Sequence, residues 1–344
     1  MSITSAPPEL ISLIAKHLPV PAKAALLKTC QPLFRLMAPI LYRRIKVVGR
    51  TANLLSLTLL SPTNMNYGAL IRSVEFVGRP GHDMYATYPL FLDALSTLQS
   101  LREISFTIPR SHAPFFTTLI KTKDLVRETP TPFAVAEMVI TGREATSEQL
   151  LPNLAVLTIE GDPSLSIIAK SRKIETLTVR FPVRARNISA LMDNIRCDCL
   201  LTLNLSLSIN NSDELLVIFY FLATTCSVLL FLDIDTGLFN ALDISKALSL
   251  GGTFTSQIRK IALNARSRHP PAFNITMTTA YAKQRGHLNK SSVSLPRLEV
   301  VTLGPIKWLR TTLSGEIRWR SRYFEENTTT PSTNIITDFS CIFA

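Results

Sequence analysis

The stretch LLTLNL, residues 200–205, sets the reading of the rest of the chain. Leucines fill its first, fourth and sixth places, and Leu201 the second. With aliphatic or aromatic substitutes, the pattern recurs as IRSVEF at 71, LREISF at 101, VAEMVI at 135, LAVLTI at 154, IETLTV at 174, LLFLDI at 229, IRKIAL at 258 and LEVVTL at 298. In a strand, alternate side chains take opposite faces, so the fourth and sixth places point inward and the residues between them outward. The intervening segments, such as 208–226, are long enough for one helix returning to the start of the next strand. Parallel strands joined in this way build a right-handed, curved α/β stack, with strands on the concave face and helices outside.

Successive copies start 19 to 40 residues apart, a range that overlaps and exceeds that of solenoid repeats. The motif resembles the leucine-rich repeat. The asparagine expected eight residues after each start is missing, its places taken by Arg79, Pro109, Arg143, Asp162, Pro182, Ser208, Gly237, Arg266 and Ile306. The resemblance therefore implies an irregular leucine-rich-repeat solenoid over residues 49–310. Its outward positions include Arg72, Glu75, Arg102, Glu103, Glu175, Thr178, Asn204, Asp233, Arg259, Lys260 and Glu299. Mixed charge of this kind suits a protein target better than a nucleic-acid backbone, which calls for clustered Lys and Arg. The plainer reading is a solvated face. Arg72 with Arg102 is the nearest approach to a phosphate-binding pair.

Ahead of the copies lies SAPPELISLIAKHLPVPAKAALLKTCQPLFRLMAPILYRRI, residues 5–45. Pro7, Pro8 and Glu9 suit a first helical turn, and Leu10, Ile11, Leu13, Ile14 and Leu18 form a wide apolar stripe. Pro19 and Pro21 separate a second short helix, and Pro32 opens a third. Pro39 is expected to start a fourth turn carrying Ile40, Leu41, Tyr42 and Ile45, because a helix-interior proline loses a hydrogen bond. So small a unit carries more apolar surface than it can bury by itself.

Here the chain resembles the F-box of fungal leucine-rich-repeat proteins. The matching residues are PPEL at 7–10, Ile14, His17-Leu18-Pro19, Leu26-Leu27, Thr29-Cys30, Leu33-Phe34 and Pro39-Ile40-Leu41-Tyr42-Arg43; Ala6 and Tyr42 stand where the family usually has leucine and often tryptophan. The resemblance implies a helical domain over 1–48 that docks on a Skp-type adaptor and through it on a cullin. Pro8, Leu10, Ile11, Ile14, Leu18, Leu27 and Leu33 are the expected adaptor contacts. The expected role is substrate recognition in a ubiquitin ligase, and the alternative is a leucine-rich-repeat scaffold without a ligase role.

The composition, 46% hydrophobic and 18% charged with a mean hydropathy of +0.22, argues against disorder. The net charge of +12 is concentrated at the ends: residues 1–50 hold eight Lys or Arg against Glu9 alone, and 256–326 hold thirteen against four Glu. Five scattered cysteines fit a reducing compartment, cytoplasm or nucleus, better than a disulfide framework. LLVIFYFLATTCSVLLFL, residues 215–232, approaches the length of a membrane span. Its flanks are acidic rather than basic, and Thr224-Thr225-Cys226-Ser227 breaks it where a turn belongs. A buried helix followed by a buried strand is expected instead.

Chemistry is expected to be absent: no catalytic residues, no metal, no cofactor and no small-molecule substrate. Asp235-Thr236-Gly237 matches half of an aspartic-protease signature, but no second copy supplies the other carboxylate. Cys197-Asp-Cys199 lacks the further ligands zinc requires. Trp308 and Trp319, interleaved with Arg318, Arg320 and Arg322, are the one hint of nucleic-acid stacking. Beyond residue 310 a cap or loose basic, Thr-rich tail is expected, 311–344.

Overall fold

The computed structural model describes residues 7–61, 66–123, 125, 150–209, 212–236, 257–264, 275–303, 306–313 and 316–323. They form an α/β protein around one open sheet of eleven strands, β1 to β11, whose spatial order is the chain order. β1 (Arg44–Val48), β2 (Ser73–Val77), β3 (Glu103–Thr107), β4 (Val156–Glu160), β5 (Thr176–Arg184), β6 (Thr202–Ser208), β7 (Phe231–Asp235), β8 (Lys260–Asn264) and β9 (Val300–Leu303) run parallel. β10 (Ile306–Leu313) and β11 (Glu316–Tyr323) close the series antiparallel.

Eight copies of the motif become β2 to β9, each strand starting two residues after its copy. First, fourth and sixth places are buried in all eight; in the copy at 200 these are Leu200, Leu203 and Leu205, at most 2% exposed. Adjacent strands lie about 4.8 Å apart, so these positions stack into continuous apolar rows. The copy at 135 lies outside the described residues, and the strands on either side of it, β3 and β4, pair directly.

The second motif position adds a backbone device. The carbonyl of Arg72 accepts from the N–H groups of both Arg102 and Glu103, that of Glu175 from Leu201 and Thr202, and that of Arg259 from Glu299 and Val300. One carbonyl thus uses both lone pairs to hold the next strand's start in register.

The apolar face packs against α6 (Met84–Ser96), α7 (Ala113–Thr122) and α9 (Ser212–Thr225), among other helices. Near β2 and β3 the filling is aromatic: Phe76 stacks on Phe91 at 4.2 Å, and the hydroxyl of buried Tyr88 lies 2.8 Å from Nδ1 of buried His112. The connection from β4 to β5 is compressed to a 3-10 helix, Pro163–Ala169. Buried Arg172, just beyond it, donates from Nη2 to the carbonyls of Leu125 at 2.6 Å and Leu150 at 2.9 Å, and from Nη1 to that of Ile168. The 215–232 run divides as expected into α9 and β7 around a turn. Among the described residues no helix is long and apolar enough to cross a membrane.

Two sequence expectations are corrected and one is made specific. The helical segment does not extend to 48, because Arg44–Val48 is already a strand of the sheet, paired with β2. Ile45 therefore lies in β1 and not in a fourth helical turn. The third helix also continues through Pro39: α3 spans Gln31–Leu41, and Tyr42 N–H still reaches Ala38 O at 2.9 Å. Buried Leu33, Met37 and Ala38 anchor this helix and offset the hydrogen bond lost at the proline. In the segment expected to be a cap or a loose tail, β10 and β11 pair antiparallel, and β11 packs against α10 (Ile275–Ser294). Trp308 Nε1 donates to Gln284 Oε1 at 3.2 Å and Trp319 Nε1 to Ser292 Oγ at 2.8 Å. Both indoles are buried, so neither offers a platform for stacking bases. Residues 324–344 lie outside the described residues.

Candidate functional site

Two surfaces carry the residues expected to bind partners. The first is the helical unit, in which α1 (Pro8–His17) and α2 (Val20–Leu27) pack on α3. Ile11, Ala15, Leu33 and Met37 form a small core separate from that of the sheet, supported by Leu26, Leu27, Cys30, Leu36 and Ile40. Two of the expected adaptor contacts, Ile11 and Leu33, are thereby internal, at 8% and 3% exposure. Leu18 and Leu27 are half-buried and Pro8 is exposed. Leu10 and Ile14 stand out at 53% and 60% exposure, joined by Leu13 and Val20. The wide stripe read along α1 therefore splits: i and i+4 from Ile11 to Ala15 face inward, while Leu10, Leu13 and Ile14 face out.

The second surface is the open face of the sheet, where the outward residues fall in rows. Glu103 and Lys260 belong to the row that also holds Ser73, Thr176 and Thr202. Glu75 and Asp233 belong to the next, with Thr178 and Asn204 between them. Arg72, Arg102, Glu175, Arg259 and Glu299 occupy the second motif position just before each strand, and all five are exposed. Arg43, which the sequence reading assigned to the helical segment, heads this column, since its carbonyl accepts from Arg72 and Ser73. The missed signal was Tyr42-Arg-Arg-Ile45-Lys-Val47, a further copy of the motif opened by an aromatic residue. Opposite charges on this face are partly matched: Lys46 meets Glu75 at 2.6 Å.

Where β5 to β8 end, the open face deepens into a cleft of about 770 Å3. Its carboxylates are Glu160, Asp233 and Asp235, and Arg180 is its cation. Asp233 is tied to Asn264, whose Nδ2 donates to Oδ1 at 2.9 Å, and Asn204 Nδ2 donates to Thr178 Oγ1 at 3.0 Å. Burial, against the attraction of Lys260 and with the repulsion of Asp235, holds the Asp233 carboxyl above its ordinary range. Thr236 also lines the cleft, 4% exposed, and its Oγ1 has no hydrogen-bond partner. Asp235 ends β7, so the Asp-Thr-Gly tripeptide marks the end of a strand, with Gly237 outside the described residues.

Among the described residues no group of three His, Cys, Asp or Glu is placed to hold a metal ion. Cys197 shares a hydrogen bond with Cys226, from a different connection. A hydrogen bond from Cys226 pulls the Cys197 thiol down, while that bond and burial push Cys226 up. No family model matches the chain, and no curated protein matches it.

Proposed function

We propose that the chain is the substrate-recognition subunit of a Skp/cullin/F-box ubiquitin ligase, with an F-box at its N-terminus and an irregular leucine-rich-repeat solenoid behind it. One observation carries the reading. The helical unit has a core of its own and still leaves Leu10, Leu13, Ile14 and Val20 outside both cores. Apolar surface left over after a unit has packed is what a docking helix offers a partner. The open face of the sheet then receives a target protein, and the chain contributes proximity to the charged enzyme instead of bond-making groups. In this reading the protein acts in the cytoplasm or nucleus.

The test is ubiquitylation in cells that express either the intact chain or a Leu10→Arg/Ile14→Arg variant. Loss of a defined set of ubiquitylated proteins with the variant supports the ligase role. An unchanged set, with partners still captured by both forms, supports a scaffold that binds without promoting transfer.

A further inference from the structure

The two ends of the sheet are finished differently. Past β9 the parallel series is closed by β10 and β11, which bring in buried Trp308 and Trp319. At the other end β1 pairs with β2 and, among the described residues, with no other strand. Its motif copy is also left partly uncovered. Tyr42 and Ile45, at the first and fourth places, are only half-buried, whereas those places are buried in the copies of β2 to β9.

The backbone of β1 shows which groups remain for a partner. Arg43 O accepts from Ser73 N–H and Gly49 N–H donates to Val77 O, so both turn toward β2. Along a strand of a parallel ladder, successive residues turn their N–H and C=O to opposite sides. Ile45 and Val47 therefore face β2, and Arg44 and Lys46 face the open edge. Val48 belongs with the second pair, but the Thr51 hydroxyl engages both its N–H at 3.0 Å and its carbonyl at 2.9 Å. The edge is thus closed by a side chain at Val48 and open from Arg44 to Lys46, and an open edge is a template for a further strand.

A groove of about 430 Å3 runs beside these residues. Ile45, with Leu55 and Leu59 of α4 (Thr51–Leu60), gives it an apolar side, and exposed Arg44 and Lys46 give it a cationic one. A strand added here sets every second side chain against the leucines and the ones between beside the cations. Charge then selects the occupant. Residues 1–50 hold eight Lys or Arg against Glu9 alone, and Arg44 forms no ion pair among the described residues. Two copies of this chain paired edge to edge would bring Arg44 and Lys46 of each together, and like charges facing across strands repel. An acidic strand is drawn in by the same charges.

We propose that the open edge of β1 receives an extended segment of a partner protein in which acidic and apolar residues alternate, added to the sheet as a further strand. This surface is argued independently of the ligase reading.

The experiment is fluorescence anisotropy on the full chain, with a fluorescein-labelled octapeptide of alternating glutamate and valine as probe and its lysine-valine counterpart as comparison. The acidic peptide is expected to bind about tenfold or more tightly than the basic one. Arg44→Glu/Lys46→Glu should reverse that order, a gain of binding by the lysine peptide that misfolding cannot produce. Two further acidic peptides carry N-methyl groups, one on every valine and one on every glutamate. In an added strand only one of these sets of N–H groups faces β1, so one form should lose about tenfold or more in affinity and the other keep it. Equal binding of both charge types by the intact chain, an unchanged order in the variant, or no loss on either methylation would each overturn the assignment. A chain that runs as a dimer on size exclusion and rejects the peptide would give the edge to a second copy and overturn it as well.

Co-elution of the intact chain with the Skp-type adaptor separates this inference from the ligase reading. If the adaptor binds and the acidic peptide does not, the groove assignment alone fails. If the peptide binds and the adaptor does not, the groove stands and the ligase reading falls.

Discussion

Asn264 Nδ2 donates to Asp233 Oδ1 at 2.9 Å from the neighbouring strand, so this partly buried carboxylate of the open face is held by a neutral amide. Because burial raises the Asp233 carboxyl above its ordinary 3.8, the folded protein binds that proton more tightly than the unfolded chain does. Stability from this group therefore falls as pH rises through the window above 3.8, and the ionised form is the strained one. Asp233→Asn should be more stable than the wild type at pH 7. The difference should shrink as pH falls and vanish below the ordinary carboxylate range. Urea unfolding at several pH values measures this, and a less stable variant at pH 7 would contradict it.

Arg172 should be a stability hinge of the sheet's middle. Burial without a carboxylate pushes its guanidinium down to about 10, still charged at neutral pH, and three carbonyls from different segments solvate it. Arg172→Met removes the donors and leaves buried acceptors, each worth about 1–3 kcal/mol. A net loss of roughly 2–4 kcal/mol is expected once relief from burying the charge is included. Denaturant titration reads it, and a neutral effect would show that the charge cost cancels the contacts.

Gly161 closes β4 with φ +121°, and a Cβ there would lie 1.9 Å from the carbonyl oxygen of Ile108. Gly161→Ala combines backbone strain with a clash against main chain, so the turn must open. A fall in thermal midpoint is expected, whereas Gly286→Ala, which meets nothing within 4 Å, should leave it unchanged or raise it.

Thiol labelling offers a chemical check on the core. Cys226 is 1% exposed with its thiol pushed up, while Cys197 and Cys199 are only partly covered. Iodoacetamide should modify Cys197 and Cys199 in the native protein and Cys226 only after denaturation. Equal labelling of all three without denaturant would mean that the α9 to β7 turn opens readily.

The motif was legible because inward rows of a parallel sheet demand apolar residues at fixed spacing whatever the connecting helices do. Leu203 and Leu205 announce β6 as plainly as Ile104 and Phe106 announce β3. β1 was hidden because Tyr42 opens its copy and Pro39 just before it argued for a helical turn. The final hairpin carries an alternating pattern around Ser314-Gly315, but its charges read as a polar tail. The proposed adaptor face was only half legible: composition gives the surplus of apolar residues, but the partition between Ile11 inside and Ile14 outside depends on how α1 rolls against α3. The cleft was not legible, since it forms only where the ends of strands from distant segments align.

That partition makes the central claim testable without unfolding the protein. Size-exclusion chromatography with a Skp-type adaptor should show the intact chain co-eluting with it. The Leu10→Arg/Ile14→Arg variant should elute alone with an unchanged unfolding midpoint, since both side chains are more than half exposed. Ile11→Arg is the wrong probe, because it breaks the helical core itself. An intact chain that never meets the adaptor, or a variant that binds it as well as the wild type, would contradict the account.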